Sequence, residues 1–208
     1  MARDVTIYHF THIRNIPNII TSGTLFADGC TDGRMQVEVG DPAIKSRRRS
    51  LTVRKPPGGV PADYVPFYFA PRSPMMLRIK SGGVPQYQDG QGPLVYLTST
   101  ADLMAAQGIP FLFTDGNCAS SLTDYYDDLA DLEKVDWTVM RATMWADTAD
   151  DPDRKRRRMA EFLMHQTAPL SAITGMATMT AQMADELKSV LTRLNYSTDI
   201  QIRREWYY

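Results

Sequence analysis

Cysteine is almost missing from this 208-residue chain. Cys30 and Cys118 have no close partner and no paired-histidine spacing beside them, which excludes a disulfide framework and a zinc site and leaves two reduced thiols. Long apolar runs are missing too: no stretch is long enough to cross a bilayer, and Met1-Ala2-Arg3-Asp4 lacks the apolar segment of a signal peptide. A cytoplasmic location with no membrane partner is therefore expected. The glycines do not form a phosphate-binding or dinucleotide-binding loop, because Gly29 and Gly33, or Gly58 and Gly59, lack both the spacing and the following helix. Neither a Gly-x-Ser-x-Gly elbow nor a His-Glu-x-x-His pair occurs, which argues against the common serine hydrolases and zinc peptidases.

A strong net charge is also missing, but the value of −1 conceals clustering. Lys45, Arg47, Arg48, Arg49, Arg54 and Lys55 form one basic block and Arg154 to Arg158 another, while acids gather at Asp124, Asp127, Asp128, Asp131, Glu133 and Asp136. Clustered Lys and Arg suit a polyanion, since counterion release rewards local charge whatever the total. A solvated charged face would produce the same pattern.

The chain reads as one mixed α/β domain over residues 1–208, with no repeat, low-complexity tract or linker. Val5 to Phe10 is β-branched and aromatic and predicts a strand. It runs into a helix capped by Thr11, with Ile13, Ile16, Ile19 and Ile20 on one face and Gly23 as its stop. Residues 26–62 predict long loops around one short basic helix near Ile44 to Arg49. Further strands are expected at Tyr64 to Ala70, Leu94 to Leu97, Pro110 to Thr114, Ala160 to Met164, Ser171 to Met176 and Ile200 to Arg203. Helices are expected at Pro74 to Lys80, Thr100 to Gln107 and Thr180 to Leu194, the last amphipathic through Met183, Leu187, Val190, Leu191 and Leu194. Tyr125 to Val135 reads as a partly helical acidic connection, and Trp137 to Trp145 has no clear period.

Glu161 draws attention because it joins the basic run Arg156-Arg157-Arg158 to the apolar stretch Phe162-Leu163-Met164. A carboxylate so placed suits an enzyme that binds a polyanion and stabilises developing positive charge. His9 and His12 flank the first strand-to-helix junction, and Tyr68 sits in an apolar strand. Singly, each has an ordinary structural explanation: surface pairing for Glu161, hydrogen bonding for the histidines, packing for the tyrosine.

Together the segments resemble a family. Tyr8-His9-Phe10-Thr11-His12-Ile13-Arg14-Asn15 followed by Ser22-Gly23-Thr24-Leu25 is similar to the opening of ADP-ribosyltransferases of the poly(ADP-ribose) polymerase type. Phe67-Tyr68-Phe69-Ala70 resembles their Tyr-Phe-Ala strand, and Glu161 would complete a His-Tyr-Glu set. Within that superfamily the nearest resemblance is to the DarT family, the DNA ADP-ribosyltransferase toxins of DarTG toxin-antitoxin systems. It is carried by the Tyr8 opening, Ile44-Lys45-Ser46-Arg47-Arg48, Tyr64 to Met75, and Arg156 to Leu163.

The resemblance implies an α+β ADP-ribosyltransferase fold, with a split, mainly antiparallel β core flanked by helices. It implies transfer of ADP-ribose from NAD, as co-substrate and without a metal, to a base, thymidine foremost, in single-stranded DNA. Glu161 would be catalytic, and Arg48, with Arg47 as second choice in the run, would bind and stabilise charge. His9, Thr11, His12, Asn15, Tyr68, Arg47 and Arg48 would hold NAD, with Tyr68 against the nicotinamide. Arg72, Arg154, Arg157 and Arg158 would contact DNA phosphates, residues 117–153 would recognise the substrate, and Tyr125, Tyr126, Trp137 or Trp145 would stack on bases. The implied partners are single-stranded DNA and a macrodomain antitoxin that removes the modification; no heptad pattern asks for more than a monomer. A transferase of the same fold acting on RNA, protein or a small molecule is the alternative, and a non-catalytic nucleic-acid-binding module a further one.

Overall fold

The computed structural model describes residues 5–30 and 34–208. The polar start Met1 to Asp4, and Gly33 among the glycines discussed above, lie outside them. In chain order the elements are β1 (Thr6–His12), α1 (Ile16–Ser22), β2 (Thr24–Phe26), α2 (Pro42–Ser50), β3 (Tyr64–Tyr68), α3 (Pro74–Lys80), β4 (Leu94–Thr100), α4 (Ala101–Ala105), β5 (Phe111–Asn117), β6 (Tyr125–Tyr126), α5 (Trp137–Arg141), α6 (Arg154–Arg158), β7 (Ala160–His165), β8 (Thr167–Pro169), β9 (Gly175–Thr178), α7 (Ala181–Arg193) and β10 (Ile200–Ile202). Eight strands form one sheet in the order β10-β9-β4-β1-β3-β7-β5-β6, antiparallel except for β10 beside β9; β2 and β8 pair separately.

The period-2 alternation of the central strands makes two cores. Ile7, Val65, Phe67, Val95, Leu97 and Phe162 face one side, where α7 adds Leu187 and Leu191; Phe10, Tyr96, Met76 and Tyr207 fill the other. Each fully buried Leu or Phe contributes roughly 1.5–3 kcal/mol, so the sheet is fixed from both faces.

Several boundaries differ from expectation for identifiable reasons. β1 pairs with β4 from Thr6↔Thr100 to His12↔Leu94, and this ladder carries the strand two residues past Phe10. His12 rather than Thr11 then caps the turn, its Nδ1 accepting the Arg14 N–H at 3.1 Å, and α1 begins only after a 3-10 turn at Ile13–Asn15. Gly23 closes α1 at φ 69°, as anticipated, with its N–H on the Ile20 carbonyl. The expected strand at Ser171 to Met176 is instead a 3-10 turn at Leu170–Ala172 followed by β9. The basic helix forms over Pro42–Ser50 because Asp41 accepts from the N–H groups of Ala43 and Ile44 at 2.8 and 3.3 Å, and Pro42 suits the first turn.

Candidate active site

The sheet parts at its centre. β3 pairs with β7 from Tyr64↔His165 to Tyr68↔Glu161, but with β1 at Tyr8↔Tyr68 alone. Pro66 explains why: in an antiparallel strand the N and carbonyl of one residue point the same way, and the side of Pro66 facing β1 has no N–H to offer. Its carbonyl is taken by a side chain instead, His9 Nδ1 at 2.8 Å. Since a carbonyl can only accept, Nδ1 carries the hydrogen, and a neutral His9 presents Nε2 as an acceptor. Burial pulls the pKa of His9 below its usual value, partly offset by the Pro66 carbonyl, so the ring is neutral at pH 7.

The parted strands border a cavity of about 620 Å³, in the size range of small-molecule sites, lined among others by His9, Thr11, Asn15, Tyr68, Arg48 and Glu161. Glu161 is 3% exposed. Its carboxylate receives a single guanidinium nitrogen, Arg48 Nη1, at 2.8 and 3.1 Å, and so keeps other lone pairs for a ligand. Arg48 also donates from Nη1 to Cys118 Sγ at 3.0 Å and from Nη2 to the Pro61 carbonyl at 3.2 Å. Burial opposes its charge, but Cys118 and Glu161 outweigh burial and hold its pKa above the ordinary arginine value. Burial pushes the Cys118 thiol up to about 12, and burial followed by the Glu161 charge pushes the Tyr68 phenol up as well. At neutral pH a charged arginine and a neutral phenol therefore line the cavity with the glutamate, and the arginine is bonded in turn to the neutral Cys118 thiol. Tyr68 also stacks on Phe10, centroids 5.9 Å apart and planes 9° from parallel.

Asn15 closes the cavity's rim from behind. Its Nδ2 donates to Thr11 Oγ1 at 3.0 Å and to the Val37 carbonyl at 2.8 Å, while Oδ1 accepts from the N–H groups of Gln36 and Val37 at 2.9 and 3.0 Å. All its hydrogen-bonding capacity is thus used, one bond on β1 and three on Gln36 and Val37 in the segment before α2. Asn15→Ala should cost about 1–3 kcal/mol, the scale of stranded buried polar groups, and should weaken ligand binding at the cavity. Thermal melting and a ligand titration check this; an unchanged melting temperature would mean that Asn15 does not hold the rim. Behind α2, burial favours the neutral form of Asp41, but hydrogen bonds from Arg78 and the two cap N–H groups prevail and hold its pKa low. Lys45 bridges Glu38 and Asp28 on the same side.

Of the residues expected to hold NAD, His9, Thr11, Asn15, Tyr68, Arg47 and Arg48 line the cavity. Arg47 differs from Arg48 in reaching the Ala119 carbonyl, at 2.8 Å, rather than Glu161. His12 is a correction: it is 4% exposed, caps the turn, lies 3.6 Å from Asp89 and does not line the cavity. The basic run needs more revision. Arg158 is 5% exposed, with Nη1 on the carbonyls of Val139, Met140 and Ala142 and Nη2 on that of Arg72, so it is not available to a phosphate. Arg157 is held by Asp136, Asp151 and Asp153, and its charge is compensated locally. Arg154 donates to the Met144 carbonyl at 2.7 Å and Arg72 lies over the Tyr208 ring at 4.3 Å; among the described residues neither has a carboxylate partner.

The four aromatics are engaged within the fold: Tyr125 Oη donates to the Cys118 carbonyl, Tyr126 stacks on Phe113, Trp137 Nε1 donates to the Leu132 carbonyl, and Trp145 is buried with Nε1 on Tyr208 Oη. Sequence reasoning missed Cys118, which a lone cysteine gives no reason to place beside an arginine 70 positions away. It also missed Met159, which together with Asn117, the first residue of the expected recognition segment, is shared by the main cavity and an adjoining one of about 310 Å³. Among the described residues no three His, Cys, Asp or Glu gather as metal ligands, and no helix is long and apolar enough to cross a membrane.

A charged Arg48 holding a buried carboxylate, with a neutral histidine lining the same cavity in a parted sheet, suits an enzyme of group transfer in which positive charge develops. Residues 8–208 match the sequence model of a family described as ssDNA thymidine ADP-ribosyltransferase, DarT. A DNA ADP-ribosyl transferase of Thermus sp. strain 2.9 is 36% identical over 204 residues, covering 97% of this chain and 95% of that one. Among solved structures, Thermus sp. 2.9 DarT in complex with ADP-ribosylated ssDNA superposes with a TM-score of 0.93 at 35% identity over 100% of both chains. The same protein in complex with NAD+ gives 0.90 at 34% identity, covering 99% of this chain and 98% of that one. The chain belongs to the DarT family of single-stranded-DNA thymidine ADP-ribosyltransferases. Its fold is the split, mainly antiparallel ADP-ribosyltransferase fold that the sequence resemblance implies.

Proposed function

We propose that this chain, acting as one ADP-ribosyltransferase domain in the cytoplasm, transfers ADP-ribose from NAD to a thymine in single-stranded DNA and so blocks replication. The observation that carries the reading is the buried Glu161 held by Arg48 on the floor of a cavity of dinucleotide-compatible size. NAD, supplied as co-substrate, brings a glycosidic bond whose cleavage places positive charge on a ribose. Glu161 supplies the preorganised negative charge that favours this, and the acceptor Nε2 of His9 suits a ribose hydroxyl. The nicotinamide leaves with the bonding electron pair, and a bond forms from the sugar carbon to a thymine nitrogen, which gives up its proton. Arg48, Cys118 and Tyr68 are all held in protonated states and the free Nε2 of His9 is engaged by the ribose, so Glu161 takes that proton and Arg48 acts by charge alone. Tyr68 backs the nicotinamide. Arg72 and Arg154 bind phosphates, and the strand's remainder lies toward the cavity that Asn117 and Met159 share with the active site. In the family's setting a macrodomain antitoxin reverses the modification, and nothing in the cavity requires a second copy of the chain.

The acceptor is tested by offering NAD with single-stranded DNA, the same DNA as duplex, RNA of the same sequence, and a protein mixture. Labelling confined to the single strand and lost when its thymines are replaced supports the proposal; labelling of RNA or protein instead overturns it.

The neutral state of His9 gives a pH dependence. Burial lowers the pKa of both His9 and His12 from the ordinary 6.5, with Asp89 partly opposing this at His12. Below pH about 6.5 the unfolded chain takes up protons that these folded rings resist, so stability falls as pH drops from there toward their folded values and is flat on their account above it. Melting temperatures from pH 7.5 down to 5.5 should decline, and His9→Asn should make the decline shallower. An equal slope in that variant would mean His9 is not held neutral.

A further inference from the structure

The Arg72 main chain lies where three parts of the site meet. It follows β3, which carries Tyr68, and its carbonyl accepts from both Arg158 Nη2 at 3.1 Å and Tyr208 Oη at 3.0 Å. Arg158 ends α6, with only Met159 between it and the strand of Glu161, and its Nη1 donates to the carbonyls at the end of α5. Tyr208 Oη in turn accepts from Trp145 Nε1 at 2.8 Å, and the Arg72 guanidinium covers the Tyr208 ring. Two donors on one carbonyl thus tie the ends of both catalytic strands to residues 137–145, in the segment expected to meet DNA.

We infer that Tyr208 and Arg158 are positioning residues that hold the 137–145 segment against the Arg72 main chain, so that they govern use of the acceptor strand rather than binding of NAD. The inference rests on the proposed transfer to single-stranded DNA. The reason for the separation is spatial and chemical. His9, Thr11 and Asn15, assigned above to NAD, lie on the β1 side, where His9 bonds the Pro66 carbonyl and Asn15 bonds Thr11, whereas Arg72, assigned to phosphate, is the centre of this hub. Tyr208 is chosen over Arg158 for the test because its hydroxyl can be removed with the ring left to pack under Arg72.

Tyr208→Phe deletes one donor to the Arg72 carbonyl and the acceptor for Trp145. It should raise the KM for a thymine-containing oligonucleotide about fivefold, the scale of one or two hydrogen bonds, with the Kd for NAD unchanged. Trp145→Phe breaks the Trp145–Tyr208 bond from the other side, and the double variant should lose less than the sum of the two single losses, because they share that interaction. An oligonucleotide KM equal to wild type in Tyr208→Phe overturns the inference, as does a parallel rise in the NAD Kd, which is what general loosening of the fold would give. If wild-type protein modifies no DNA, the transfer reading fails; if wild type is active and Tyr208→Phe is indistinguishable from it, this inference alone fails.

Discussion

Glu161→Ala should lower the rate of ADP-ribose transfer by about a hundredfold or more while NAD still binds, the effect of deleting one preorganised electrostatic partner from a buried site. The carboxylate is 3% exposed and sits where β7 begins, opposite Tyr68 in the β3 ladder, so its position is set by backbone pairing rather than by a flexible loop. Glu161→Gln keeps the size and one acceptor oxygen but removes the charge. It should be as inactive as the alanine variant and more stable, because the amide oxygen can still receive Arg48. Rapid-mixing measurement of transfer, with NAD affinity by calorimetry, separates the two effects. A loss confined to NAD affinity, with the transfer rate intact, would make Glu161 a binding residue.

Arg48→Ala is expected to be the most damaging change to stability within the site. It strands a buried carboxylate, which costs about 3–5 kcal/mol when one partner of a buried pair is removed. It also leaves Cys118 and the Pro61 carbonyl without their donor. Arg48→Lys restores a charge but not the fork that reaches Glu161, Cys118 and Pro61 together. It should recover much of the stability while transfer stays about a hundredfold down, since small misplacements at a reacting centre have effects of that size. Denaturant melts paired with transfer rates distinguish these outcomes. Full activity in Arg48→Lys would show that charge suffices and geometry does not matter.

The sequence carried the site better than it carried the surface around it. β1, β3 and β7 are legible because their apolar and aromatic residues alternate and are bounded by turn signals, and His9, Thr11, Tyr68 and Glu161 lie on these strands, with Arg47 and Arg48 on the capped basic helix. The run from Arg154 to Arg158 shows the opposite case. Five consecutive cations have no apolar period, so neither α6 nor its inward turn at Arg158 could be read; both depend on partners far away in the chain, Asp136 and the carbonyls ending α5. His12 was misread for a related reason, since its burial follows from the ladder with β4, which no local signal announces. Charge patterning likewise separated acidic from basic clusters, while the structure pairs them, using Asp136, Asp151 and Asp153 to neutralise Arg156 and Arg157.

The central claim is that Glu161, held by Arg48, transfers ADP-ribose from NAD to thymine in single-stranded DNA. It is tested most directly by mass spectrometry of a mixed-sequence single-stranded oligonucleotide after incubation with NAD and either wild-type protein or Glu161→Ala. A mass increase of one ADP-ribose with wild type, located on thymine by fragmentation and lost with Glu161→Ala although that variant still binds NAD, is the predicted result. An unmodified oligonucleotide with wild type, or an adduct that survives the substitution, would contradict it.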